Sequence, residues 1–360
     1  MKRMYSFFTV IILVAFIFSG VGKSQDLQGT LHKLTGSAGE GYLSPVISAF
    51  GANLNSGWVH KSPSSKLFGI DIEVGVVAMA TMFGDNNKTF SSSGTFRFSQ
   101  SQARTMIDKS SDVRLNLLSN SQKDEFAAKI AQQDFSVGIS GPTIVGKKDS
   151  EVMVDFAGAD VTYNTVTYKV DPQKIATGAK GFLGDLSALP LFATQFSLGT
   201  VYGTSATFRF LPSVNIKDLG EFSYFGFGLQ HNPAMFIPIP LPVDVSVAFF
   251  TQTLKVGDIF KASATTFGLY ASKTFGFGIT ITPFAGFAME SSNVDVSYDV
   301  QYASPVPGQT IKDKIAFSMK GENSARFTIG ASLKLGFLNL SADYSLAKYK
   351  SASVGINFIF

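Results

Sequence analysis

The sequence predicts an all-β fold, an antiparallel transmembrane β-barrel of about fourteen strands with a short N-terminal helical segment. Three observations predict it. Apolar residues alternate with small or polar ones through many successive segments. After the first two dozen residues no apolar run reaches the length of a spanning helix. The chain also carries 35 Phe and 34 Gly but only 16% charged residues, a heavy apolar load for a secreted domain. A lipid-facing barrel reads this way, as segments of ~10 residues whose alternation is weak singly and repeated many times. A soluble secreted β-sandwich shares the alternation and is the main alternative.

The chain opens with Lys2 and Arg3, an apolar run from Phe7 to Phe18, then Ser19-Gly20 and a small-x-small site at Gly22-Lys23-Ser24. This is the order of a secretory signal peptide, 1–24, with cleavage expected near Ser24–Gln25. The apolar run falls short of the ~20 residues that an anchor helix needs. Cleavage removes Lys2, Arg3 and Lys23 and no acid, so the formal net charge falls from +4 to +1. The basicity is thus mostly a targeting feature, and no Lys/Arg cluster remains to hold nucleic acid. There are no cysteines, which excludes disulfides, a lipid-bearing Cys after the signal and a thiolate metal site. Only three histidines occur, at His32, His60 and His231, too scattered for a His-rich metal cluster. No metal or cofactor is expected.

Residues 25–45 come next. Leu27, Leu31 and Leu34 stand at helical spacing with Gly36 and Gly39 ending the run, so this segment is either a plug lying in the barrel or a periplasmic extension. The barrel is expected over 46–360. Its period of two is plainest near the C-terminus, where Phe327, Ile329, Ala331, Leu333 and Leu335 alternate with Arg326, Thr328, Gly330, Ser332 and Lys334. Upstream, Ile70, Ile72, Val74 and Val76 alternate with Asp71, Glu73 and Gly75, and Val243, Val245 and Val247 alternate with Asp244 and Ser246. A Lys or Arg at mid-depth on the lipid face costs ~2–4 kcal/mol, so charges should collect on the opposite face, as they do here. Strands are expected at 46–58, 66–83, 88–98, 133–145, 151–170, 190–199, 202–211, 220–231, 243–254, 262–274, 279–302, 324–336, 338–348 and 350–360. If Phe360 is periplasmic, the turns at 199–202, 274–278 and 336–339 are short and periplasmic, while 99–132, 171–189, 212–219 and 303–323 are external. Asp85-Asn86-Asn87 reads as a tight turn between two strands, and 121–133 as a short helix in an external loop, capped by Ser121 with Asp124. Pro233, Pro238, Pro240 and Pro242 keep 231–243 from being a strand, so it is a stiff periplasmic turn or, alternatively, folds inward and shapes the lumen.

Little of the sequence points to catalysis. No nucleophile elbow, zinc-protease helix, phosphate loop or calcium loop is present, so no catalytic residue and no enzyme activity are expected. His231 with Asn232 is the one local candidate for acid–base work. His60 falls in the first external loop, and all three histidines read as surface or turn residues. More informative are Asp71, Glu73, Arg97, Arg209, Asp244, Arg326, Lys334 and Asp343, which all project to the lumen in this register. They are either a self-neutralising ladder that packs a narrow lumen or the lining of a polar conduit.

Several stretches are familiar. Gly41-Tyr42-Leu43-Ser44-Pro45, Gly51 and Asn55-Ser56-Gly57-Trp58 resemble the start of a bacterial outer-membrane family of unknown function. Leu198 to Thr204, Arg209-Phe210-Leu211-Pro212, Gly228-Leu229-Gln230-His231 and Ala271 to Gly276 are similar to that family too. A more distant likeness is to the long-chain fatty-acid transporters. It implies fourteen strands, an N-terminal hatch and uptake of hydrophobic compounds. Here, however, Asn232-Pro233-Ala234 lies at a mid-chain turn, whereas those transporters carry such a motif in the hatch. Two functions are therefore expected: a channel for hydrophobic or amphipathic small molecules, or a non-transporting scaffold acting through its external loops. Both place the protein in a Gram-negative outer membrane, with membrane lipid as a partner. Both also use the C-terminal strand ending in Phe360 as the signal to the barrel-assembly machinery.

Overall fold

Residues 37–360 are described by a computed structural model, apart from 66–67, 185, 217–219, 238–240, 258–259 and 304–309. The signal peptide and the plug candidates Leu27, Leu31 and Leu34 lie outside the described residues. Helix α1 (Ser37–Leu54) comes first. Leu43, Ile47, Phe50 and Leu54 recur along it at helical spacing, and all four are buried. Strand β1 (Phe68–Met82) follows, and then an insert of short elements. These are β2 (Thr89–Phe96), α2 (Gln100–Asp108), α3 (Val113–Asn116), α4 (Asn120–Ile130), β3 (Phe135–Pro142), β4 (Glu151–Phe156), β5 (Ala159–Tyr163), β6 (Val166–Val170) and β7 (Gln173–Lys180). The remainder is strand after strand: β8 (Ala188–Val201), β9 (Thr204–Ile216), β10 (Gly220–His231), β11 (Asp244–Val256), β12 (Phe260–Ser272), β13 (Phe275–Phe277), β14 (Ile279–Ala303), β15 (Thr310–Lys320), β16 (Ala325–Leu335), β17 (Leu338–Leu346) and β18 (Ser351–Ile359).

Hydrogen bonding closes ten of these strands into a ring. The order β1, β8, β9, β10, β11, β12, β14, β16, β17, β18 returns to β1 through antiparallel pairs such as Val76↔Ile356. Closure removes the sheet edges, and in a medium without water that is what allows strands to satisfy their backbone. The three-residue β13 and the eleven-residue β15 stand outside the ring as hairpin partners of the long β14. No helix is long and apolar enough to cross a membrane among the described residues. The ring's outward positions are apolar and exposed: Val74, Phe196, Phe208, Phe225, Phe249, Phe267, Phe287, Ile329, Ile356 and Phe358 among them. Its inward positions are buried and mixed: small or polar at Ser197, Thr207, Gly228, Ser246, Ala264, Thr328, Ser353 and Asn357, aromatic or aliphatic at Tyr224, Phe250, Leu254 and Tyr270. What departs from a soluble protein is the outer face, a continuous apolar surface left uncovered.

The ring has two rims. One carries Phe360, hydrogen-bonded to Ile72 in both directions, and the tight connections at 202–203 and 336–337. The other carries Phe83, whose N–H donates to Ser187 O at 2.9 Å, and the turn joining β17 to β18.

The chain divides into two units. The barrel unit is Val46–Phe83 with Leu186–Phe360, and the insert unit is 37–45 with Gly84–Asp185. In the insert unit β2, β3, β4 and β7 form a four-stranded sheet, with β5–β6 a separate hairpin. Phe98, Phe135 and Phe156 pack edge-on or tilted at 5.2–5.5 Å, and Phe126 stacks on Tyr163 at 5.2 Å.

The expected fourteen strands are therefore corrected to ten. Segment 46–58 is the end of α1 and the chain beyond it, and 88–98, 133–145 and 151–170 supply sheets of the insert. Alternation signals one apolar face but not what covers it. In β3 that face, Phe135, Val137 and Ile139, is buried against protein, where a barrel strand would expose it. The barrel domain accordingly is not the continuous 46–360. The helix expected at 121–133 is α4, and Ser119 rather than Ser121 caps it, in a reciprocal box with Gln122. The tight turn at Asp85–Asn87 is present as one turn of 3-10 helix.

Candidate functional site

The barrel's own chain occupies its lumen. An eight-stranded barrel is just filled by its side chains, so two further strands leave room for more. Residues 46–65 take that room and run from the rim of Phe83 to the rim of Phe360. At the first rim Ser48 Oγ accepts from Glu322 N at 3.1 Å, and Asn53 donates to Leu189 O at 2.8 Å and accepts from the Thr81 hydroxyl at 2.7 Å. Gly51 lies so close to the wall that a Cβ there would come within 1.9 Å of Ser292 Oγ.

Two arginines of the wall hold the middle. Arg326, on β16, donates through Nη1 to Asn55 O at 3.0 Å and Ser56 Oγ at 2.8 Å, and through Nη2 to Ala52 O at 3.0 Å. These acceptors lie where α1 runs out of partners for its last carbonyls, a place where cations are favoured. The same guanidinium reaches Glu290 at 2.6 Å, with both side chains at 2% exposure or less. Arg209, on β9, donates to Ser56 O at 2.9 Å and Gln195 Oε1 at 3.0 Å, and lies 3.9 Å over the Trp58 ring. Desolvated, such a cation–π contact contributes ~2 kcal/mol.

Gly57, at φ +68°, turns the chain beyond the helix and leaves no space for a side chain beside Val77 and Ser353. Trp58, the only Trp in the chain, then stacks on Phe250 at 4.9 Å. Its seat is cut by Gly226 and Gly228 of β10, where an added Cβ would fall 2.9 and 3.3 Å from the indole. At the Phe360 rim His60 meets Glu73 at 3.0 Å, and Lys61 meets Glu73 at 2.7 Å and Asp71 at 3.6 Å. Ser62 N donates to Ser272 Oγ at 2.9 Å, and Asn232 donates to Pro63 O at 2.7 Å. Beside His60, Lys61, Glu73 and Thr207 a cleft of about 30 Å³ stays open, room for a water or two.

Of the eight charges expected in the lumen, Asp71, Glu73, Arg209, Arg326 and Asp343 belong to its wall, Asp343 accepting from the Ser353 hydroxyl. Asp244 stands at the Phe360 rim, 3.3 Å from Asn232 Nδ2, and Lys334 is half-buried between Thr280 and Asn339. Arg97 is a correction. It sits in the insert, exposed, in a two-pronged pair with Asp134 at 2.9 Å. Its segment alternates like a barrel strand but joins another sheet. His60 is a second correction, since it is a partner of a buried carboxylate and not a loop histidine. His231 meets the Thr204 hydroxyl at 2.9 Å and lies against Phe236, with Asn232 turned toward Pro63. Among the described residues no group of three metal-ligating side chains occurs. Sequence reasoning missed Trp58, Ser56 and Asn55 as site residues. The signal was available, because Leu43, Ile47, Phe50 and Leu54 mark a helix where a strand was expected.

Residues 1–360 match DUF6588, a family of unknown function. The chain belongs to that family. Asn55-Ser56-Gly57-Trp58 and Gly228, noted in the sequence as a resemblance, are the two halves of the tryptophan seat. No curated protein matches. Among solved structures, the chain is similar to the N-terminal β-barrel domain of OprF from Pseudomonas aeruginosa (15% identity, 44% of this chain and 94% of that one, TM-score 0.19). It is also similar to a loop-deletion mutant of OmpT from Vibrio cholerae (8%, 82% and 100%, 0.22) and a BenF-like porin from Pseudomonas fluorescens (10%, 81% and 98%, 0.16). At such scores these likenesses add nothing to the closed ladder of hydrogen bonds, which establishes the barrel by itself. The fatty-acid transporter likeness is not among these findings, and the fourteen strands it implied are not present.

Proposed function

We propose that the protein is an outer-membrane barrel, exported by its signal peptide, that conducts nothing at rest and acts through its insert, Gly84–Asp185, as an anchored scaffold. The observation that carries this reading is the filled lumen, with Arg326 and Arg209 bonded to the backbone of the segment that fills it. The apolar outer wall supports the membrane location, because 36 large apolar side chains stand exposed among the described residues and most lie on strands of the ring. Membrane lipid and the barrel-assembly machinery, engaged through the strand ending in Phe360, are the partners this location requires. A channel for hydrophobic or amphipathic molecules would need residues 46–65 to withdraw.

Purified protein in planar bilayers tests the two against each other. The scaffold reading expects no steady conductance from the parent chain and discrete openings once Arg326 and Arg209 are both replaced by Ala. A parent chain that conducts steadily, or that passes a hydrophobic solute into vesicles, would overturn it.

A further inference from the structure

Resting on the membrane-barrel reading, we propose that residues 46–65 form a strap that crosses the membrane inside the barrel, so that residue 46 stands at the face opposite the C-terminus. Ten strands are an even number, so β1 begins and β18 ends at the same rim. A chain that simply entered β1 would keep both termini on that side. Here it does not. Ser48 is bonded at the turn between β15 and β16, on the rim of Phe83, while Pro63 is bonded to Asn232 on the rim of Phe360. Phe83 and Ser187, where the insert leaves and rejoins the barrel, are hydrogen-bonded to each other on the first of these rims. Three ends of the barrel unit's own segments, at residues 46, 83 and 186, therefore lie at one rim. The ring is closed by continuous pairing from Glu73↔Ile359 to Thr81↔Ser351, so the strap has no lateral exit and must be in place when β18 meets β1.

The absence of cysteine gives a background-free test. Glu40→Cys and Thr274→Cys are exposed positions, the first before the strap and the second at the Phe360 rim. Each variant is treated with a membrane-impermeant maleimide in intact cells and again after permeabilisation. Folding is checked by heat-modifiable gel migration, and labelling in urea sets the maximum. The strap predicts opposite sides: Glu40→Cys labels on intact cells, and Thr274→Cys only after permeabilisation. The reverse pattern keeps the strap and overturns the periplasmic placement of Phe360. Equal labelling of both from one side overturns the strap. A second variant reads the lumen directly, since Ser56 Oγ and Ser351 Oγ are 2.7 Å apart. Ser56→Cys with Ser351→Cys should form a disulfide in the exported protein, and free thiols at both positions in the folded barrel would overturn the proposal.

Discussion

At the scale of single residues the lumen is a charge problem solved by geometry. Arg326 and Glu290 are out of water, and their attraction offsets the desolvation cost only because the guanidinium also meets three acceptors of the strap. Removing one partner leaves the other buried and alone. Arg326→Met should therefore destabilise the folded barrel by about 3–5 kcal/mol, read as a lower urea midpoint for heat-modifiable migration. Adding Glu290→Gln should recover much of that loss, and a double variant no better than the single one would contradict the pairing. Trp58 offers a second reading. As the only indole it reports strap docking without labels, and its emission should be that of a buried ring. In Gly228→Val the new side chain meets Phe250, since even a Cβ falls 2.3 Å from that ring. The emission should move to the red, and an unchanged spectrum would mean the seat tolerates the intrusion.

At the scale of elements the sequence was legible where one face meets lipid and misleading where it meets protein. Segments β8 to β12 and β16 to β18 were placed correctly because their apolar residues alternate and their charges fall on the other face. Segment β3 alternates as clearly, yet Val137 and Ile139 turn inward onto a protein core. Periodicity reports a two-sided strand and is blind to the partner. Of the lumen charges, Arg209 and Arg326 were legible as inward-facing, but not what they hold, because three of their four acceptors on residues 46–65 are backbone carbonyls and leave no trace in side-chain pattern. The insert allows two predictions of its own. Ser119→Ala removes the hydroxyl that accepts from Gln122 N at 3.3 Å, and the start of α4 should lose ~1 kcal/mol, seen as faster amide exchange there. Asp112 is held well below the usual carboxylate range by hydrogen bonds from Arg114, its own N–H among them, and from Lys169 N. Asp171 is lowered by the Ser111 N–H and hydroxyl. A carboxylate whose folded value is depressed contributes stability that is whole above the ordinary value near ~4 and is lost as pH falls below it. The insert should accordingly loosen between about pH 4 and lower values while staying level above pH 5. Exchange rates in 110–114 and 168–171 would check this, and rates flat down to pH 3 would refute it.

At the scale of the whole molecule, a ring of strands surrounds a chain segment that leaves by both rims. Such a ring resembles a bead on a string more than a cup with a stopper, and this governs how it comes apart under load. Force applied at Phe360 acts across the β18–β1 ladder one pair at a time, so the seam unzips at low tension. Force applied at the N-terminal side of the strap runs along the lumen axis. There the bonds to Arg326, Arg209, Asn53 and Trp58 share the load in shear, and the strap cannot slip free while the seam is shut. Single-molecule pulling should therefore record a higher rupture force from the first end than from the last.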